Sequence, residues 1–101
     1  NIQSDQQCLI SLLRAVAFSY KAFDEYYSQR YTNHDNLRKE ANEIFLENIP
    51  IFLQKPYFFF IKKNILYNYR KNSRHLKIAN PEYSDISPYV NDLHYFRHIQ
   101  F

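Results

Sequence analysis

The side chains in this sequence with the most reactive chemistry are one thiol and a pair of histidines. Cys8 is the single cysteine, so the chain forms no internal disulfide, which is typical of a reducing or matrix-like compartment. A lone thiol on an apolar helix is usually packed into a core. His94 and His98 have a spacing compatible with metal ligation, but no further ligand stands at a convincing spacing. The sequence therefore predicts no metal site.

Basic residues are the second chemical feature, and they are concentrated in the second half of the chain. Residues 1–54 carry seven acidic and five basic side chains, and residues 55–101 carry eight basic and three acidic ones. The predicted basic surface consists of Lys62, Lys63, Arg70, Lys71 and Arg74. Aromatic side chains between them would allow phosphate pairing and base stacking on RNA. A solvated surface, or one that faces lipid headgroups, is the other interpretation.

The overall composition excludes some classes of protein. The chain has no glycine, which argues against phosphate-binding loops and Rossmann turns. It has ten Tyr and nine Phe, more aromatic surface than a small helical core can cover, so we expect part of it to face a partner. Codon bias in an AT-rich genome is an alternative origin of this excess. No apolar run approaches the roughly 20 residues of a membrane span, which predicts a soluble or peripheral protein.

Apolar residues at spacings of three and four predict three helices, over residues 5–31, 34–49 and 56–75. Ser4 and Gln7 suggest a capping box before the first helix, and Asn33 and Asp35 suggest caps for the second. Pro50 is expected to end the second helix, and Pro56 to lie in the first turn of the third.

The spacing also predicts which face of each helix is buried. In the first helix the predicted stripe is Leu9, Leu12, Leu13, Val16, Tyr20, Phe23, Tyr27 and Tyr31. In the second it is Leu37, Ala41, Ile44 and Phe45, with Arg38 and Lys39 on the polar side. In the third it is Phe58, Ile61, Ile65, Leu66 and Tyr69. The predicted fold is an all-α three-helix bundle over residues 1–78, followed by an extended aromatic C-terminal tail over residues 79–101 that packs on partner subunits.

The first two helices resemble those of the LYR-motif family of small mitochondrial proteins. Leu12, Leu13, Arg14 and Ala15 match the second half of the motif in the first helix of that family, and Leu37, Arg38, Phe45 and Asn48 match the motif in its second helix. The sequence departs from the family where Leu9 and Ile10 stand at the tyrosine and arginine positions.

The LYR resemblance implies a non-catalytic accessory subunit of a respiratory or ATP synthase complex on the matrix side of the mitochondrial inner membrane. Such subunits often bind acyl carrier protein. By resemblance, Arg14, Arg38 and Lys39 would pair with its acidic helix, and Leu13, Val16 and Phe45 would line a channel for its acyl chain. No cofactor is then bound directly, and the acyl-phosphopantetheine of the carrier protein enters from the partner.

A second resemblance, to the OTU cysteine proteases, implies a different class of function. The stretch DQQCLI at residues 5–10 is similar to the nucleophile motif of that family, in which an aspartate precedes the cysteine by three residues. By this resemblance Cys8 would be the nucleophile of a deubiquitinase, with its thiol pKa lowered by a helix N-terminus, and His94 would be the base. The lack of glycine departs from that family. An RNA-binding mitochondrial ribosomal subunit is the third interpretation.

Overall fold

The computed structural model describes residues 2–55 and 59–79, and all its regular elements are helices. They are α1 (Ile2–Tyr27), α2 (Tyr31–Leu53) and α3 (Phe59–Ala79). The predicted all-α three-helix bundle is confirmed. Within the described ranges, no helix is both long and apolar enough to cross a membrane. The predicted aromatic tail and the predicted helix-starting role of Pro56 lie outside the described residues.

The helix starts differ from their predicted positions. α1 begins before the predicted start, so Ser4 lies inside the first turn and not at a cap. α2 also begins early, at Tyr31, and Arg30 occupies its N-cap position without a capping hydrogen bond from its side chain. Asn33 and Asp35 therefore lie within the first turns of α2, and the prediction that they cap it was wrong.

The end of α1 is a Schellman motif built without glycine. Gln29 has a φ of 62°, in the left-handed region. Its backbone N–H donates to the carbonyl of Tyr26 at 3.0 Å, and that of Arg30 donates to the carbonyl of Glu25 at 2.8 Å. A residue with a Cβ atom pays about 1–2 kcal/mol for this conformation. The motif ends α1 at Tyr27 and turns the chain directly into α2.

Pro50 does not end α2, which continues to Leu53. A proline lacks the N–H that would bond the carbonyl four residues earlier, so this helix loses one backbone hydrogen bond. Packing compensates for the lost hydrogen bond, because Ile49 and Phe52 on either side of Pro50 are fully buried in the core. The prediction that Pro50 ends the second helix was therefore wrong.

α1 packs into the bundle mainly through small side chains. Its buried positions are Asp5, Cys8, Leu12, Ala15, Ser19 and Ala22. They recur every three or four residues and form a strip on the helix surface beside the predicted stripe, with Leu12 common to both. Five members of the predicted stripe are exposed instead: Leu13, Tyr20, Phe23, Tyr27 and Tyr31. Small residues let two helix backbones approach closely, which leaves no room for the larger rings between them.

The core between the three helices matches the prediction more closely on α2 and α3. Phe45 is fully buried, and its ring centroid lies 5.7 Å from that of Tyr69, in an edge-to-face arrangement. Of the rest of the predicted buried set of α3, Ile65 and Leu66 are buried and Ile61 is half-buried against the core, whereas Phe58 lies outside the described residues. Arg38 was predicted on the polar side of α2, but only 3% of its surface is exposed.

Close packing of α1 predicts that enlarging its buried alanines will destabilise the protein. Ala15→Leu and Ala22→Leu are each expected to lower the free energy of unfolding by about 1–3 kcal/mol, because the added atoms force the helices apart. Ala17→Leu is the matched control, since Ala17 is exposed on the same helix, and its effect should stay within about 0.5 kcal/mol. Urea unfolding followed by circular dichroism measures all three. Equal effects at the three positions would contradict the close approach of α1.

Candidate functional site

The outer face of α1 carries a row of exposed apolar side chains. Ile10, Leu13, Ala17, Tyr20 and Tyr27 are all exposed, and we call this row the α1 seam. Leu13 is 53% exposed and Tyr20 is 62% exposed. Spacings of three, four, three and seven residues place them on one stripe, as in the helices of a coiled coil. Asp24 occupies the remaining position of the pattern and is also exposed.

Two cationic side chains flank the α1 seam. Arg14 and Lys21 are exposed and lie three or four residues from Ile10 and Ala17, on the same edge of the helix. The Arg14 guanidinium carbon lies 5.8 Å from the centre of the Phe18 ring, a cation–π contact that orients it. The seam therefore combines an apolar row with a positively charged border.

The six predicted partner-binding residues do not form one surface. Leu13 and Arg14 belong to the α1 seam and its border, and Lys39 is exposed on α2, where its Nζ lies 3.0 Å from an oxygen of Asp35. Val16 is half-buried against the core. The remaining two, Arg38 and Phe45, are buried. The expected contact of the Arg38 charge with a surface partner was therefore wrong for the closed bundle.

Arg38 instead belongs to a buried polar network that spans the three helices. Its Nη1 donates to Oδ1 of Asn72 at 2.9 Å, and its Nε donates to Nε2 of His34 at 3.1 Å. The Oγ of Ser19 also donates to Oδ1 of Asn72, at 3.1 Å. Asn72 donates from Nδ2 to Oδ1 of Asn42 at 2.7 Å. Sequence reasoning missed Asn72 entirely, because an asparagine among basic residues gives no signal of burial.

Burial shifts the acid–base behaviour of this network. Desolvation lowers the pKa of His34 below 6.5, and the nearby Arg38 charge lowers it further, while Asp35 opposes the shift. Desolvation also lowers the pKa of the Arg38 guanidinium. A neutral His34 fits the geometry, since its Nε2 accepts a hydrogen bond from Arg38.

The predicted basic surface on α3 is mostly present. Lys63, Lys71 and Arg74 are exposed, and Arg70 is half-buried. Lys62 is buried, however, and its Nζ lies 3.5 Å from the carbonyl oxygen of Leu53. Its assignment to the surface was wrong, because the start of α3 places this side chain against the end of α2.

Cys8 has neither the exposure nor the pKa expected of a nucleophile. The thiol is buried and its Sγ donates to the carbonyl oxygen of Asn48 at 3.4 Å. Burial raises the thiol pKa, and the carboxylate of Asp5 raises it further, against an opposing effect of Lys55. The expected lowering of the pKa was wrong, because α1 begins at Ile2 and the field of a helix terminus fades beyond the first turn.

The predicted catalytic base and the histidine pair considered for metal binding lie outside the described residues. His94, the base implied by the OTU resemblance, lies there, and so does the His94–His98 pair. Within residues 2–55 and 59–79, no group of three or more His, Cys, Asp or Glu side chains is placed to hold a metal ion.

Comparison of the chain with protein-family models, curated proteins and solved structures finds no match in any of the three.

The depressed histidine pKa values predict that stability rises with pH in the weakly acidic range. Burial also lowers the pKa of His75, as do the charges of Arg38, Lys71, His34 and Arg74. The unfolded chain then binds more protons than the folded one between the lowered pKa values and about 6.5. The free energy of unfolding should therefore increase as the pH rises through about 6.5, and level off once the histidines of the unfolded chain are neutral.

Urea titrations at several pH values measure this dependence. The double variant His34→Gln, His75→Gln is the control, because glutamine keeps an acceptor for Arg38 and does not titrate. Its pH dependence in this range should be shallower than that of the wild type. An unchanged slope would contradict the assignment to these two histidines.

The buried, high-pKa thiol predicts slow chemical modification of Cys8. Its reaction with a thiol-directed disulfide reagent at pH 8 should be at least about tenfold slower in the folded protein than in urea. The matched control is Cys8→Ser with Ser28→Cys, which moves the single thiol to an exposed position. Rapid labelling of native Cys8 by a ubiquitin-based cysteine probe would instead favour the OTU-like hydrolase.

Proposed function

We propose that this chain is a non-catalytic accessory subunit that binds a helix of a partner protein along the α1 seam. The observation that carries the proposal is the alignment of Ile10, Leu13, Tyr20 and Tyr27, each at least half exposed, on one face of a helix whose opposite face is already packed. Burying a large apolar side chain contributes about 1.5–3 kcal/mol. Covering this row would therefore stabilise a complex considerably.

The chemistry of the partner follows from the border of the seam. Because Arg14 and Lys21 flank the row on one side, the best-matched partner is an amphipathic helix with an apolar stripe and acidic residues beside it. Acidic side chains at that edge would pair with both cations as the apolar stripes meet.

The finer proposal follows the LYR resemblance. In it, the partner is acyl carrier protein, whose acidic helix meets the basic border of α1, and the assembly is a respiratory or ATP synthase complex on the matrix side of the mitochondrial inner membrane. The three-helix architecture and the exposure of Leu13 and Arg14 support this proposal. Because Phe45 is fully buried, an acyl chain would enter between the helices only if they separate around that ring.

Charge reversal on α1 tests the proposal. The double variant Arg14→Glu, Lys21→Glu should weaken binding to purified acyl carrier protein by at least about tenfold, because attraction at the seam border becomes repulsion. Lys63→Glu, Arg74→Glu is the matched control with the same charge change on α3, and it should alter the affinity by less than about threefold. Isothermal titration calorimetry measures the affinities, with native mass spectrometry for stoichiometry.

Other outcomes would contradict the proposal. Equal loss of binding in both double variants would indicate a response to net charge and not to the seam. A wild-type homodimer that Leu13→Asp dissociates would assign the seam to a second copy of this chain. RNA binding that is lost only in the α3 variant would favour the ribosomal interpretation.

A further inference from the structure

A second feature of the bundle is a buried positive charge without a negative partner. Only 3% of the Arg38 surface is exposed, and both its hydrogen-bond acceptors, His34 and Asn72, are uncharged groups. Its Nη2 makes no hydrogen bond within residues 2–55 and 59–79. Buried charges in proteins are normally paired, since an uncompensated one costs several kcal/mol. An anion that reaches Arg38 would therefore supply a charge that its present hydrogen-bond partners do not.

Three carboxylates of the described residues form ion pairs with other cations. Glu25 pairs with Arg30, and Asp35 and Asp5 pair with lysines at 3.0 Å and 3.3 Å. None of these ion pairs includes Arg38. Arg38 therefore has no ion-pair partner among the described residues.

Other cationic groups lie around Arg38. Burial lowers the pKa of His75, and the charges of Arg38, Lys71 and Arg74 lower it further. Asp35 is the acidic group that opposes the shift at His34. The C-terminal half of α3, which carries basic and no acidic side chains, thus creates a local positive potential beside Arg38, which attracts anions.

Two cavities adjoin this charge, and Arg38 and Phe23 line both. One has a volume of about 120 Å³ and is also lined by Tyr20, Lys71 and Asn68. The other has a volume of about 220 Å³ and is also lined by Tyr26, Tyr27, His75 and Ile78. An apolar cavity of about 150 Å³ accommodates a benzene ring, so the larger one has room for a group of that size. The two cavities together are called the Arg38 recess.

We propose that the Arg38 recess binds a small organic acid, with its carboxylate on Arg38 and an aromatic or short aliphatic body against Phe23. A carboxylate matches the guanidinium in charge and geometry, and Lys71 or His75 supplies further donors. The aromatic walls favour an apolar body over a fully hydrated inorganic anion. This inference is independent of the proposed function, because it requires no partner protein.

The test compares an acid with its uncharged isostere. By isothermal titration calorimetry, 3-phenylpropionate should bind at least about tenfold more tightly than 3-phenylpropionamide, because only the acid compensates the Arg38 charge. Arg38→Gln should abolish this preference, and Lys63→Gln, which removes an exposed charge, should retain it. Equal affinity for acid and amide in the wild type would overturn the proposal.

Two further measurements keep the test decisive if Arg38→Gln fails to fold. Phe23 is 44% exposed, so Phe23→Ala should preserve the helical circular dichroism spectrum and weaken binding of the acid about tenfold. Sodium phosphate is the third probe and should bind more weakly than the acid. Unchanged affinity in Phe23→Ala, or phosphate binding as tight as that of the acid, would overturn the role of the apolar walls.

Discussion

The side chain of Asn72 joins all three helices, and the arrangement of the bundle depends on its hydrogen bonds. From α3, its Nδ2 donates to Asn42 at 2.7 Å and to the backbone carbonyl of Arg38 at 2.9 Å. Its Oδ1 accepts from Arg38 on α2 and from Ser19 on α1. Asn72 is fully buried, and a buried amide without partners costs about 1–3 kcal/mol. Apolar contacts alone would tolerate a shift of one helix along another. The hydrogen bonds of this network form together only when the three helices are aligned in one register.

Much of the fold could be predicted from the sequence, because helical spacing depends on neighbouring residues. The number of helices, their approximate ranges and the buried side of α3 follow from apolar residues three and four apart, such as Ile65, Leu66 and Tyr69. The boundaries were less predictable. Pro50 usually stops a helix, but tertiary packing of Phe52 overrides that preference.

The candidate site could not be predicted as well, because it depends on contacts between distant parts of the chain. α1 has apolar residues on two adjoining strips, and spacing alone favours the strip with the larger rings. The structure buries Ala15 and Ala22 instead, on the helix that packs most closely against α2. Arg38 stands among charged residues in the sequence, and only its contact with Asn72, 34 positions later, makes its burial understandable.

The orientation of α1 in the bundle accounts for both the α1 seam and the Arg38 recess. Because α1 turns its small residues inward, Tyr20 remains outside, where it belongs to the seam and also lines the smaller cavity of the recess. A partner helix on the seam would cover Tyr20 and narrow the entrance to that cavity. Any effect of partner binding on the affinity for an acid would then be matched by an equal effect of the acid on partner binding. The two proposed activities meet at this ring, although neither requires the other.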